Sequence, residues 1–186
     1  MLEILKKIGQ FFLDLIETIV MALAIFVVVY LFLFQPHQVK GNSMLPNFHD
    51  GEYILTDKVS YRFTGPQRGD VIIFKAPKNE EVDYIKRIIG LPGETIKIEG
   101  GYIYIDNQKL PETYIPSDFV SNAGSFLTEG AQYLIPNERY FAMGDNRNHS
   151  SDSREWGTVK KEEIVGRAFL RYWPINEFGI VPKPAY

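Results

Sequence analysis

The serine of Gly41-Asn42-Ser43-Met44-Leu45-Pro46 stands in a setting that invites nucleophilic chemistry, yet it lacks the usual company. A hydroxyl attacks only when a neighbouring base takes its proton. No second glycine completes a G-x-S-x-G elbow, and no serine in the chain has a lysine three residues on, so the S-x-x-K arrangement is absent. The three histidines are His37, His49 and His149. Each could approach Ser43 in space, which leaves a Ser-His-Asp triad open, but none stands at a telling spacing. Lys86 is the other candidate base. In the alternating run 82–89 it shares a face with Tyr84 and Ile88, so it can point inward among apolar groups. Desolvation there would disfavour the ammonium and supply a neutral amine. The competing placement has Lys86 in water beside Asp83 and Arg87.

A second dense stretch runs over residues 141–154, FAMGDNRNHSSDSR. Asp145 and Asp152 could pair with Arg87, Arg147 or Arg154 to brace a site, and Ser150 could accept a hydrogen bond from a lysine amine. A solvated loop of turn formers would have the same composition. No two histidines have metal-ligand spacing, and no glycine-rich loop is laid out to cradle a phosphate. The chain has no cysteine, which excludes a disulfide framework, a Cys-ligated zinc and a thiol nucleophile. A formal net charge of -3 over 186 residues offers no basic excess for nucleic acid.

These residues need elements to position them. Residues 18–34, TIVMALAIFVVVYLFLF, are uncharged over about 17 positions, the lower end of what spans a bilayer as a helix. Asp14 and Glu17 belong at headgroup level or in water. Gln35-Pro36 is expected to end the helix, since proline disfavours helical geometry in the residue before it. The run is too long for a cleaved signal peptide, and no small residue follows it. Lys6 and Lys7 favour a cytoplasmic N-terminus. Beyond the anchor, short alternating runs predict strands at 52–56, 70–75, 82–89, 95–99, 102–105, 140–143 and 164–172. Gly100-Gly101 and Asp106-Asn107 predict two tight hairpin turns. Residues 160–163 could hold one helical turn, and 111–130 reads as a long polar excursion or small lobe.

Taken together, these pieces resemble the type I signal peptidases of bacteria. The serine box is Gly41-Asn42-Ser43-Met44-Leu45-Pro46. The second box is Arg68-Gly69-Asp70-Val71-Ile72-Ile73-Phe74. The lysine box is Tyr84-Ile85-Lys86-Arg87-Ile88-Ile89-Gly90-Leu91-Pro92-Gly93-Glu94. The last is Met143-Gly144-Asp145-Asn146-Arg147, continuing through Ser150, Asp152, Ser153 and Arg154. Any one box is weak; the ordered set after a single anchor is specific.

The resemblance implies an all-β fold: a signal-peptidase/SOS-repressor-like catalytic core with a smaller β lobe, behind one N-terminal transmembrane helix. The expected division is 1–35 for the cytoplasmic tip and anchor and 36–186 for the catalytic domain, with the small lobe at roughly 95–135. It implies Ser43 as nucleophile, Lys86 as general base and Ser150 as the group that orients the lysine. Arg87, Asp145, Arg147, Asp152 and Arg154 become supports, with Arg87 the partner of Asp145. Val39, Phe48 and Ile85 should line shallow apolar subsites for substrate residues with small side chains at the first and third positions before the cut.

The implied partners are preproteins and the lipid bilayer, with no cofactor, metal or nucleic acid. The implied location is the cytoplasmic membrane, N-terminus inside and catalytic domain outside. Two departures stand out. Gly41 replaces a serine whose hydroxyl, in some relatives, helps to bind the oxyanion, and Asn47 stands where threonine is commoner, a change expected to matter little. The competing readings are a self-cleaving serine–lysine protein of the SOS-repressor type, disfavoured by the anchor, and a silent membrane-tethered binding domain, disfavoured by the presence of both Ser43 and Lys86.

Overall fold

The computed structural model describes residues 2–77 and 79–184, the side chains of Leu5 and Glu80 excepted. It opens with helix α1 (Leu2–Phe32), exposed along its described length; Glu3, Lys6, Lys7, Gln10, Asp14 and Glu17 share one face of its first half, and from Ile19 on it is apolar on every side. A stretch with no polar face suits apolar surroundings, which is the setting residues 19–32 call for. The chain then enters strand β1 (Phe34–Gln38), which contains Pro36. The expectation that the helix continues to Gln35-Pro36 is therefore corrected. The proline holds Gln35 extended and brings no N–H, which suits an edge strand as well as a helix stop. Lys58 N–H donates to the Leu33 carbonyl at 3.0 Å and fastens the junction.

The remaining strands come in order: β2 (Tyr53–Asp57), β3 (Val71–Ala76), β4 (Asn79–Gly90), β5 (Thr95–Glu99), β6 (Tyr102–Ile105), β7 (Gln108–Lys109), β8 (Gln132–Leu134) and β9 (Arg139–Met143). A single turn of helix, α2 (Ser153–Trp156), precedes β10 (Val159–Lys160), β11 (Ile164–Trp173) and β12 (Gly179–Ile180). All strand pairings among the described residues are antiparallel. The larger sheet runs β1-β2-β11-β3-β4-β9-β10, with β12 on β11, and the second runs β7-β6-β5-β8.

Both predicted hairpin turns have the left-handed backbone that a two-residue loop requires: Gly100 and Gly101 at φ 58° and 83°, Asp106 and Asn107 at 49° and 65°. Residues 161–163 form one 3₁₀ turn.

β3 is buried on both faces from Val71 to Phe74, which is why that run is continuously apolar. Val71 and Ile73 enter one core cluster with Val39, Met44, Phe48 and Ile85; Ile72 and Phe74 enter another with Ile88 and Ala142. A third cluster joins the two sheets, Ile96, Ile98 and Ile103 meeting Ile89, Phe141 and Met143. The second sheet is thus fixed against β4 and β9, the two strands that lead into the residues of interest.

Candidate active site

Ser43 sits in the turn between β1 and β2, pinned from both sides. Val39 N–H donates to the Glu52 carbonyl at 2.8 Å and Gly51 N–H to the Val39 carbonyl at 2.9 Å, which close the loop. Gly41 takes φ 82°, open to glycine without strain, and its N–H donates to Asp50 Oδ1 at 2.6 Å. Met44 and Phe48 anchor the turn in the core, at 0% and 1% exposure. From the other side Asn146 N–H donates to the Ser43 carbonyl at 3.1 Å, and Asn146 Nδ2 to the Asn42 carbonyl at 3.0 Å.

Lys86 comes from the middle of β4, opposite Ile72 of β3. It is 5% exposed, and its Nζ lies 2.7 Å from Ser43 Oγ and 3.0 Å from the Ile85 carbonyl. Burial pushes its amine from the ordinary 10.5 down to about 8; Asp152 and Asp145 oppose that shift and Arg154 adds to it. No histidine hydrogen-bonds Ser43 among the described residues. His37 is bonded to Thr56 and Asp83, His49 to Glu52, and His149 to Asn146.

The loop after β9 is a scaffold of buried ion pairs. Arg87 grips Asp145 through two hydrogen bonds, Nε to Oδ1 at 2.8 Å and Nη2 to Oδ2 at 2.7 Å. Arg154 grips Asp152 in the same forked way, both bonds at 2.8 Å, and Asp152 also accepts from Gly144 N–H at 3.1 Å. Planar guanidinium–carboxylate forks fix orientation as well as distance. Arg147, fully buried, donates to the Gly144 carbonyl at 3.1 Å and to Glu112, Tyr114 Oη and Ser121 Oγ.

Glu112, Tyr114 and Ser121 lie in the segment that sequence reads as a polar excursion. Tyr114 also stacks on Arg87, its ring 4.3 Å from the guanidinium carbon. Asn47 is more than the minor departure expected: its Nδ2 donates to both Asp145 Oδ2 and the Tyr114 carbonyl at 2.8 Å. No local pattern marks these four residues, because every one of the contacts joins distant parts of the chain.

Two expected placements are corrected. Ser150 makes no hydrogen bond to Lys86; its Oγ is buried without a partner. The lysine amine is directed at Ser43 and the Ile85 carbonyl, while the serine hydroxyl rests over Gly144, where a Cβ would strike it and the Ser43 carbonyl. Phe48 does not line the cleft beside Ser43. As the turn's apolar anchor it is inside the core, with Arg171 5.1 Å over its ring. The cleft itself has about 660 Å³ and is lined by Val39, Ile54, Ile73 and Ile85 around Ser43 and Lys86.

Residues 12–173 of the chain match the family described as signal peptidase, peptidase S26. The chain belongs to that signal peptidase family. It is 35% identical over 181 residues to the signal peptidase I of Leptolyngbya laminosa, covering 92% of this chain and 85% of that protein. It is 33% identical over 179 residues to the signal peptidase IB of Staphylococcus aureus strain Mu50, covering 89% and 93%. A crystal structure of a signal peptidase I from Enterococcus faecalis V583 superposes with a TM-score of 0.46 at 32% identity, over 55% of this chain and 95% of that one.

As a signal peptidase the protein is a serine peptidase that cleaves signal peptides from preproteins. One long apolar helix precedes its sheets, consistent with a membrane anchor. The Ser43 N–H has no acceptor among the described residues, so this signal peptidase carries an unused backbone donor beside its cleft serine.

Proposed function

We propose that Ser43 is the nucleophile and Lys86 the general base of this signal peptidase. The observation that carries the reading is the 2.7 Å approach of a buried lysine amine to the serine hydroxyl. With the amine neutral, its lone pair accepts the Ser43 proton as Oγ attacks the carbonyl carbon of the residue before the cut. The Ser43 N–H donates to the oxyanion that forms. The Lys86 ammonium then returns its proton to the leaving amine, and the mature protein departs. An ester between Ser43 Oγ and the signal peptide remains. Water, deprotonated by Lys86, attacks that ester and restores both groups.

Arg87–Asp145, Arg147 and Arg154–Asp152 serve to hold the serine turn and the lysine in register.

The aliphatic walls Val39, Ile54, Ile73 and Ile85 favour small side chains at the first and third positions before the cut. Residues 36–186 act as one catalytic unit with its small lobe at 95–135. The anchor 1–35 spans the cytoplasmic membrane with the N-terminus inside. Exposed Trp173, Ile175, Phe178 and Ile180, late in the chain, supply an apolar surface suited to the outer leaflet.

The test is cleavage of a preprotein with an Ala-x-Ala site in detergent micelles, read by mass spectrometry. A single cut after the second alanine, absent in Ser43→Ala and Lys86→Ala, is expected. Undiminished cutting by either variant would overturn the dyad.

A further inference from the structure

The cleft changes character along its length. At the Ser43 end its walls are Val39 and Ile85, with Lys86 behind them. Two residues back along each strand, on the same faces, stand His37 of β1 and Asp83 of β4, and two further back is Glu81; all three line the cleft. His37 and Asp83 meet directly, Nε2 to Oδ2 at 3.2 Å, although β1 and β4 are not neighbours in the sheet. A carboxylate only accepts, so the ring proton sits on Nε2. Nδ1 then accepts from Thr56 Oγ1 at 2.8 Å. Burial holds the imidazole below its ordinary pKa, against the opposing pull of Asp83, so the ring is neutral at pH 7.

That arrangement occupies Asp83 Oδ2 and leaves Oδ1. The second oxygen is buried and ion-paired with Lys75 Nζ at 2.9 Å. Glu81 is exposed, and its carboxylate forms no ion pair among the described residues. The end of the cleft away from Ser43 therefore carries two carboxylates against the single charge of Lys75, which leaves it net acidic with Glu81 unpaired among the described residues. It is also the end nearest α1, since Pro36 lies four positions beyond the last helical residue, Phe32.

A signal peptide whose apolar stretch lies in the bilayer must approach Ser43 from that direction. Bound as an extended strand, it turns alternate side chains to one wall. If the first and third residues before the cut face Val39 and Ile85, the fifth faces His37, Asp83 and Glu81.

We propose that Asp83 and Glu81, with His37 holding Asp83 in place, form a subsite for the fifth residue before the cut, selecting a basic or hydrogen-bond-donating side chain and rejecting an acidic one. The proposal rests on the Ser43–Lys86 reading above. The selectivity expected of one partly exposed ion pair is about fivefold.

The experiment uses the full-length chain in detergent micelles and three preproteins alike except for Lys, Gln or Glu at the fifth position before an Ala-x-Ala site. kcat/KM should fall from Lys through Gln to Glu, by about fivefold overall and chiefly through KM. In Glu81→Gln and in Asp83→Asn the Lys-to-Glu ratio should move toward one. A ratio taken within one preparation does not depend on how much of a variant is folded. Equal kcat/KM for Lys and Glu with wild type would overturn the subsite, as would an undiminished ratio in the Glu81→Gln/Asp83→Asn double variant. Failure of the dyad would show separately, as cleavage of the Lys substrate by Ser43→Ala at the wild-type rate.

Discussion

In the proposed dyad, Lys86 joins stability to activity at a single atom. Its amine must be neutral to take the serine proton, so the rate should rise about tenfold per pH unit up to roughly pH 8 and level off above it. A pH profile of single-turnover cleavage checks this; a plateau already reached at pH 6 would remove the lysine as base. The same shift sets the sign for stability. The unfolded chain holds its lysine proton up to about 10.5 and the folded one only to about 8. The cost of burying the ammonium is therefore fully present below pH 8 and disappears as pH climbs to 10.5. Replacing it by an apolar chain of similar length, Lys86→Met, should abolish cleavage and raise stability by ~2 kcal/mol below pH 8, a gap closing toward pH 10.5 in denaturant melts.

Gly144 is the other critical residue at this scale. A single added methyl in Gly144→Ala would meet the Ser150 hydroxyl and the Ser43 carbonyl, so kcat should drop about a hundredfold while circular dichroism stays native. Wild-type kcat would contradict the close packing.

Most of the strands are legible in the sequence. β2 through β6 and β9 and β11 carry alternation or continuous apolar runs long enough to read, and the glycine and asparagine turns mark their ends. The short strands β7, β8, β10 and β12 and the one-turn α2 are not, because two to four residues hold no period. β1 escapes for a different reason: Pro36 signals an end to helix, and whether the next residues form a strand depends on a partner edge being at hand.

The segment around Glu112 shows the same dependence. It reads as solvent-loving, yet Glu112 and Tyr114 close around the fully buried Arg147. Removing one partner of a buried pair leaves the other charge stranded. Glu112→Ala should therefore cost about 3 kcal/mol in a chemical melt. It should also slow cleavage beyond the unfolded fraction, because Arg147 ties down the Gly144 carbonyl beside Ser43. A variant as stable and as active as wild type would make the tie dispensable.

At the scale of the molecule, the proposed reading has the anchor and the exposed Trp173, Ile175 and Phe178 act on the same substrate property, its attachment to a membrane. Replacing Trp173, Ile175 and Phe178 by serine should leave cleavage of a short soluble peptide nearly unchanged. Cleavage of a preprotein held in vesicles should fall about tenfold. Equal losses on both substrates would place the effect in the fold and not at the bilayer.

The sequence by itself determined the single apolar span, the β character of the chain beyond it, the ordered boxes and the candidates Ser43 and Lys86. Each of these is written in residues close together in the chain, as a period, a turn signal or a short run. Only the tertiary structure decided that a serine and a lysine 43 residues apart lie 2.7 Å from one another. It also decided that Phe48 is an anchor and not a wall, that Ser150 is left without a partner, and that Glu112 and Asn47 brace the loop. Those facts depend on which distant strands share a face. That choice is made by burial of the whole core, and no local stretch of sequence encodes it.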